Sequence, residues 1–208
     1  MKRLCILIAL LGVGSPLISQ EGAMTFGIKG GVNYSSFILG KDLPDSFPAT
    51  LKGKIGGHLG GFLRIGLAEN LSLKPEVLFS AQGAKYVLDI SFIDPNPFDP
   101  TISSTNYEAN IREYLVLLPV ILDYYISDAF DVELGPQLGY LLDYKISDNS
   151  KDLTYGSGDY DKFEMALCLG LGYAIGDRYR MGLRYDYGIL ERNNLKSSVF
   201  QLVFDYRL

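Results

Sequence analysis

Along most of the chain, apolar and polar side chains alternate with a period of two. In VELGPQLGYLLDYKI, Val132 to Ile146, one set is Val132, Leu134, Pro136, Leu138, Tyr140, Leu142 and Tyr144. The other is Glu133, Gly135, Gln137, Gly139, Leu141, Asp143 and Lys145. Side chains that alternate in this way stand on opposite faces of a strand. The same period runs through TFGIKGGVNYSSF, IGGHLGGFLRIGL, LSLKPEVLFSAQ, FEMALCLGLGYAI, YRMGLRYDYGI and SVFQLVFDYRL. EYLVLLPVILDYY, Glu113 to Tyr125, is apolar on both faces, so alternation does not assign its facing. Pro119 at its middle and its β-branched and aromatic content favour a strand, with a bulge as one option, over a buried helix.

These segments make eight strands. Short links are expected near Ala68–Asn70, Ser127–Phe130 and Gly176–Arg178. Long polar links are expected near Ile38–Lys54, Asp89–Tyr107, Ile146–Asp161 and Leu190–Ser197. Long and short links in strict alternation are the mark of a meander whose tight turns share one rim and whose loops share the other, with both termini on the tight-turn rim. The fold predicted is all-β: an eight-stranded antiparallel up-and-down transmembrane β-barrel. Pro75, Pro119 and Pro136 all fall towards the tight-turn rim, where a lost ladder bond or a bulge is best tolerated.

Which face looks inward follows from the polar set. Gly27, Gly31, Gly56, Gly60, Gly135, Gly139, Gly170, Gly172, Gly182 and Gly188 all lie on it, interleaved with charges. Glycine weakens a water-facing strand, but it leaves volume for long partners in a narrow barrel interior. The polar face is therefore lumenal. Its expected ion-paired network is Lys29, Arg64, Glu76, Glu133, Glu164, Arg184, Asp186 and Arg207, because an unpaired buried charge is costly. The apolar face, with tyrosines towards the strand ends, then meets lipid. A soluble lipocalin-like barrel would invert this arrangement and leave its Leu and Phe in water.

The first residues, MKRLCILIALLGVGSPLISQ, combine a positive start at Lys2 and Arg3, a short apolar run and a small-residue tail. They are read as a cleaved secretory leader over residues 1–20, with the barrel domain over 21–208. The apolar run is shorter than the roughly 20 residues a spanning helix needs. Loss of Lys2 and Arg3 takes the balance from 19 basic against 24 acidic residues, net −5, to 17 against 24, net −7. Such acidity argues against a nucleic-acid partner. Cleavage also removes Cys5 and leaves Cys168 alone, which excludes a disulfide framework.

With these residues laid out, the chain resembles the PorT-like family of outer membrane beta-barrel proteins. FGIKGGVNYSSF is similar to that family's first strand, LPVILDYY to its Pro-containing fourth and ELGPQLGYLL to its most recognisable stretch. CLGLGYAIG, MGLRYDYGI and FDYRL are similar to its last three strands. The family often carries an acidic residue before the proline of strand four; here the sequence reads Val116-Leu117-Leu118-Pro119. The resemblance implies an outer-membrane barrel, a C-terminal strand read by barrel-assembly machinery, and no chemistry. The naming member is tied to protein secretion.

Candidate chemistry is sparse. His58, the sole histidine, would centre any lipid-acting acyltransferase or phospholipase, with Ser35 or Ser80 as nucleophile. That enzyme is the alternative to a non-catalytic barrel. Asp148, Asp152, Asp159 and Asp161 lack the spacing of a calcium loop. No catalytic residue, cofactor or metal is expected. The loop carrying Phe92, Ile93 and Phe98 is a candidate contact for an extracellular or envelope protein. Outer-membrane lipid is the other expected partner, and the barrel is expected to be a monomer. Its lumen is expected to be filled and non-conducting, with a structural or recognition role carried by the loops.

Overall fold

The computed structural model describes residues 24–39, 49–93, 102–148, 151–153, 161–192 and 195–208. The expected leader, residues 1–20, lies outside the described residues. Nine strands are described: β1 (Met24–Leu39), β2 (Ala49–Ala68), β3 (Leu71–Ile93), β4 (Ile102–Tyr125), β5 (Phe130–Asp148), β6 (Lys151–Leu153), β7 (Phe163–Ile175), β8 (Tyr179–Gly188) and β9 (Leu195–Arg207). Eight of them form a closed ring in which each pairs antiparallel with its chain neighbour, and β1 closes onto β9. The short β6 stands outside the ring and pairs only with the end of β5. Closure matters because lipid offers no partner to a free strand edge.

The three tight turns fall at one rim, at Glu69–Asn70, after Tyr125 and at Gly176–Arg178. Gly176 takes a φ of +66°, which a side chain would oppose. The Ser127 hydroxyl accepts the Phe130 backbone N–H at 3.1 Å and so tightens the β4–β5 turn.

The facing follows the expected parity. On β7 the burial alternates without a break from Phe163 to Tyr173, with Glu164, Ala166, Cys168, Gly170 and Gly172 inside. β4 is resolved in the same way: Glu113, Leu115, Leu117, Pro119, Ile121 and Asp123 face the lumen, while Leu118, Val120, Leu122 and Tyr124 face out. On the outer surface, aromatic residues bracket an aliphatic band strand by strand. Phe130 and Tyr140 bracket Leu134 and Leu138 on β5; Phe163 and Tyr173 bracket Met165 to Leu171 on β7; Tyr114 and Tyr124 bracket Val116 to Leu122 on β4. Neighbouring rings meet, as in Phe130–Tyr173 at 4.8 Å and Tyr140–Phe163 at 5.3 Å. Ten residues from bracket to bracket, at about 3.3 Å each and a tilt of about 40°, give roughly 25 Å of height, that of an outer-membrane apolar band.

Three expectations need correction. The long links are shorter than read, because β3 and β4 continue in register from Leu71↔Tyr124 to Ile93↔Ile102. Beyond the aromatic bracket the hairpin no longer needs an apolar face, so its polar sequence reads as loop although it is strand. Tyr144 does not face lipid. An extra residue in β5, where Tyr114 pairs Asp143 and Leu115 pairs Leu141, reverses the parity and packs Tyr144 against Leu78, Leu115, Leu117 and Leu141. Pro119 sits without a bulge: the ladder skips from Pro119↔Gln137 to Leu122↔Leu134 with the register unchanged. The proline costs ladder bonds there, not alignment.

Candidate functional site

The chemistry of this barrel is concentrated inside it. Lys29 comes from β1, Arg64 from β2, Lys74 and Glu76 from β3, Asp123 from β4, Asp131 and Glu133 from β5, Arg180 and Arg184 from β8, and Asp205 from β9. All ten are buried, five cations against five carboxylates. Arg184 crosses the lumen, its Nη1 donating to Glu76 Oε2 at 2.8 Å and its Nε to Glu133 Oε2 at 2.9 Å. Lys29 pairs with Glu76 and lies 3.7 Å from Asp205. Lys74 bridges Glu133 at 2.5 Å and Asp123 at 3.2 Å. Arg180 pairs with Asp131, with Glu133 at 2.9 Å and with Asp205 at 3.1 Å. Charges taken out of water survive only when matched in this manner.

β7 contributes space in place of charge. A β-carbon on Gly172 would fall 2.0 Å from the Arg180 guanidinium, and one on Gly170 would fall 2.8 Å from Glu133 Oε2. Phe62 in turn lies across Gly27, and its ring faces Lys74 at 5.9 Å and Arg64 at 5.8 Å.

The eight residues expected in the network do not all join it. Lys29, Glu76, Glu133 and Arg184 form its centre. Arg64 reaches it through one long contact, 3.5 Å to Asp123. Arg207 does not enter; it is half-buried at the tight-turn mouth, where it lines a cavity of about 600 Å³ with Arg64, Ser72 and Tyr125. Its position at the end of β9 puts it beyond the sealed section. Asp186 is buried beside Arg184 and Cys168. Glu164 belongs to a second cluster nearer the other mouth. There Arg192, from the β8–β9 connection, pairs with Glu113 at 2.6 Å and Glu164 at 3.2 Å.

Sequence reading missed Asp123 and Glu113 because they end an apolar run; their even spacing was a usable signal, since it puts both on one face. Asp131 shares parity with Glu133, Arg180 with Arg184 and Asp205 with Arg207, so parity gives these too. Nothing in the sequence brings Arg192 inward.

Asp123, Asp131 and Glu133 place carboxylate oxygens within 4.8 Å of one another, a spacing that suits a metal ion. Lys74 and Arg180 already occupy that acidic face. His58 donates from Nδ1 to Asn33 Oδ1 at 2.6 Å, and Asn33 Nδ2 donates to Ser80 Oγ at 2.9 Å. Ser80 is the register partner of His58, yet both side chains are tied to Asn33 and buried. The hydrogen bond of a nucleophile to its base is not made. Cys168 is buried, its thiol 3.7 Å from Gln137 Oε1. The calcium-like aspartates of 148–161 and the Phe92–Phe98 patch have no described side chains apart from Asp161, which is exposed.

The family model for the outer membrane protein beta-barrel domain matches residues 18–191 of this chain. Among solved structures, the Neisserial surface protein A barrel is similar with a TM-score of 0.51 at 14% identity, over 89% of this chain and 99% of that one. Ail, the attachment invasion locus protein of Yersinia pestis, aligns with a TM-score of 0.48 at 16% identity, over 91% and 100%. OprG of Pseudomonas aeruginosa aligns at 0.44 and 15%, over 90% and 97%. No curated protein matches the chain.

Proposed function

The chain belongs to the outer membrane protein beta-barrel domain family, and from that premise we propose a barrel with a non-conducting lumen that acts as a structural or recognition element at its long-loop rim. The observation that carries this reading is the Arg184 bridge: one guanidinium joins Glu76 on β3 to Glu133 on β5 across the interior, with Lys29, Lys74 and Arg180 packed around it. Ions would have to break matched buried pairs to pass, and eight strands leave no spare bore. Recognition then falls to what projects past the aliphatic band, chiefly the β3–β4 hairpin.

The tight-turn rim and both termini are assigned to the periplasm and the projecting hairpins to the exterior, as in meanders with short periplasmic turns. The FGIKGGVNYSSF, ELGPQLGYLL and FDYRL stretches support placing the chain among PorT-like members, with the C-terminal strand addressed to barrel-assembly machinery. The Asn33 tether on both His58 and Ser80 supports a non-enzymatic role, and the closed ring supports a monomer. The test is electrical. Purified barrel added to a planar lipid bilayer is expected to give no discrete conductance steps; sustained steps of uniform size would overturn the reading.

A further inference from the structure

Just beyond the aliphatic band, on the outward face of β2 to β5, two pairs of like charges oppose each other in register. Lys52 is the cross-strand partner of Lys85, and Arg112 is the partner of Lys145. Parity fixes their direction. Lys85 shares a face with the exposed Val77 and Phe79, and Arg112 with Tyr114 and Leu118, along a β3–β4 ladder whose register never shifts.

Like charges placed directly opposite destabilise a sheet. Here the arrangement occurs twice on adjacent hairpins, with little compensation. Glu108 bonds Lys85 at 2.6 Å and also feels Lys52, while Asp143 stands 3.9 Å from Lys145 in an exposed contact. Among the described residues, four cations thus meet two carboxylates. On the opposite side of the same rim the charges balance, with Asp161 beside Lys162 in sequence and Glu191 bridged to Lys196 at 3.2 Å. The whole chain is acidic, net −5, so this basic sector runs against its own background.

Depth identifies what the sector faces. Arg112 lies two residues beyond the bracketing Tyr114, about 7 Å along the strand. That is headgroup depth, where the opposing charge available is the phosphate of a lipid.

We propose that the outward faces of β2 to β5 form a binding surface for anionic lipid headgroups, whose phosphates bridge Lys52 to Lys85 and Arg112 to Lys145. This rests on the outer-membrane reading above. The test refolds the protein into phosphatidylcholine bilayers containing phosphatidylglycerol and compares motional restriction of spin-labelled forms of each lipid. Wild type is expected to retain phosphatidylglycerol roughly five-fold more strongly than phosphatidylcholine. The preference should vanish at about 0.5 M NaCl. It should also vanish in the combined variant Lys52→Gln, Lys85→Gln, Arg112→Gln, Lys145→Gln, and survive when the three lysines become Arg. Equal retention of both lipids by inserted wild type, or a preference untouched by salt, overturns the proposal alone, whether or not the combined variant folds. Inorganic phosphate displacing the lipid at equal concentration would assign the surface to a soluble anion and overturn it as well. Failure of wild type to enter bilayers would overturn the outer-membrane reading together with it.

Discussion

The Arg180 guanidinium lies where a side chain on Gly172 would have to begin: a β-carbon there would be 2.0 Å from Arg180 Nη2. The absence of a side chain on β7 is what lets a cation from β8 lean across to Asp131 on β5. Gly172→Ala therefore forces Arg180 off its partners. It is expected to lower stability by about 1–3 kcal/mol from overpacking, read as a lower urea midpoint for the refolded barrel in micelles. A midpoint equal to wild type would show that Arg180 has room the geometry denies it.

The central network predicts strong non-additivity. Arg184→Met leaves Glu76 and Glu133 facing each other without their bridging cation, and the loss is expected at about 3–5 kcal/mol. Arg184→Met also leaves four buried cations against five carboxylates, and adding Glu133→Gln restores four against four, so the double variant should be more stable than Arg184→Met alone. Equilibrium unfolding of the two single variants and the double decides it; simple additivity would mean the contacts act independently.

Much of this is legible in the sequence itself. A strict period of two on seven segments gave strand count, closure and facing, because lipid outside and glycine with charge inside leave opposite marks on alternate residues. The eighth segment hid its facing because its inward wall is itself apolar: Leu115, Leu117 and Ile121 are lumenal, and the first two pack with Leu78 and Leu141. Periodicity has no contrast where both faces shun water. The reversal at Leu142 was equally invisible, since an inserted residue changes parity without changing composition. Arg192 lies outside the ring strands, and its pairing with Glu113 and Glu164 comes from the path of the chain, which local pattern does not encode.

The outward band should reject charge by depth. Leu138 lies between Phe130 and Tyr140 on β5 and is half exposed on the barrel's outer surface. Leu138→Arg is expected to cost about 2–4 kcal/mol in a bilayer, whereas Leu142→Arg, beyond the Tyr140 bracket, should cost little. Similar losses at both positions would mean the aromatic residues do not mark the edges of the apolar band.

His58 separates a structural from a catalytic interior. His58→Ala strips Asn33 Oδ1 of its donor and is expected to cost about 1–3 kcal/mol. The heat-dependent gel shift of a folded barrel should persist. Phospholipid incubated with the wild-type protein should be recovered intact; hydrolysis that disappears in His58→Ala would reinstate the lipid-acting alternative.

The β3–β4 hairpin separates folding from presentation. Its pairs from Leu71↔Tyr124 to Gly83↔Arg112 carry the lumenal charges of β3 and β4 and cover the outward stretch between Tyr114 and Tyr124. The pairs from Ala84↔Ile111 to Ile93↔Ile102 add height without adding a member to the central network. Ring closure depends on the first set alone, because β2 and β5 remain paired to the hairpin below that level. Replacing residues 84–111 by a two-residue Asn-Gly turn is therefore expected to leave a barrel that still shifts on heating, with a urea midpoint close to wild type. The replacement removes the projecting strands proposed to carry recognition, so a surface phenotype borne by them should be lost with it. Collapse of folding in the shortened chain would instead make the projecting strands part of the folding unit, and recognition would have to be sought in the other connections.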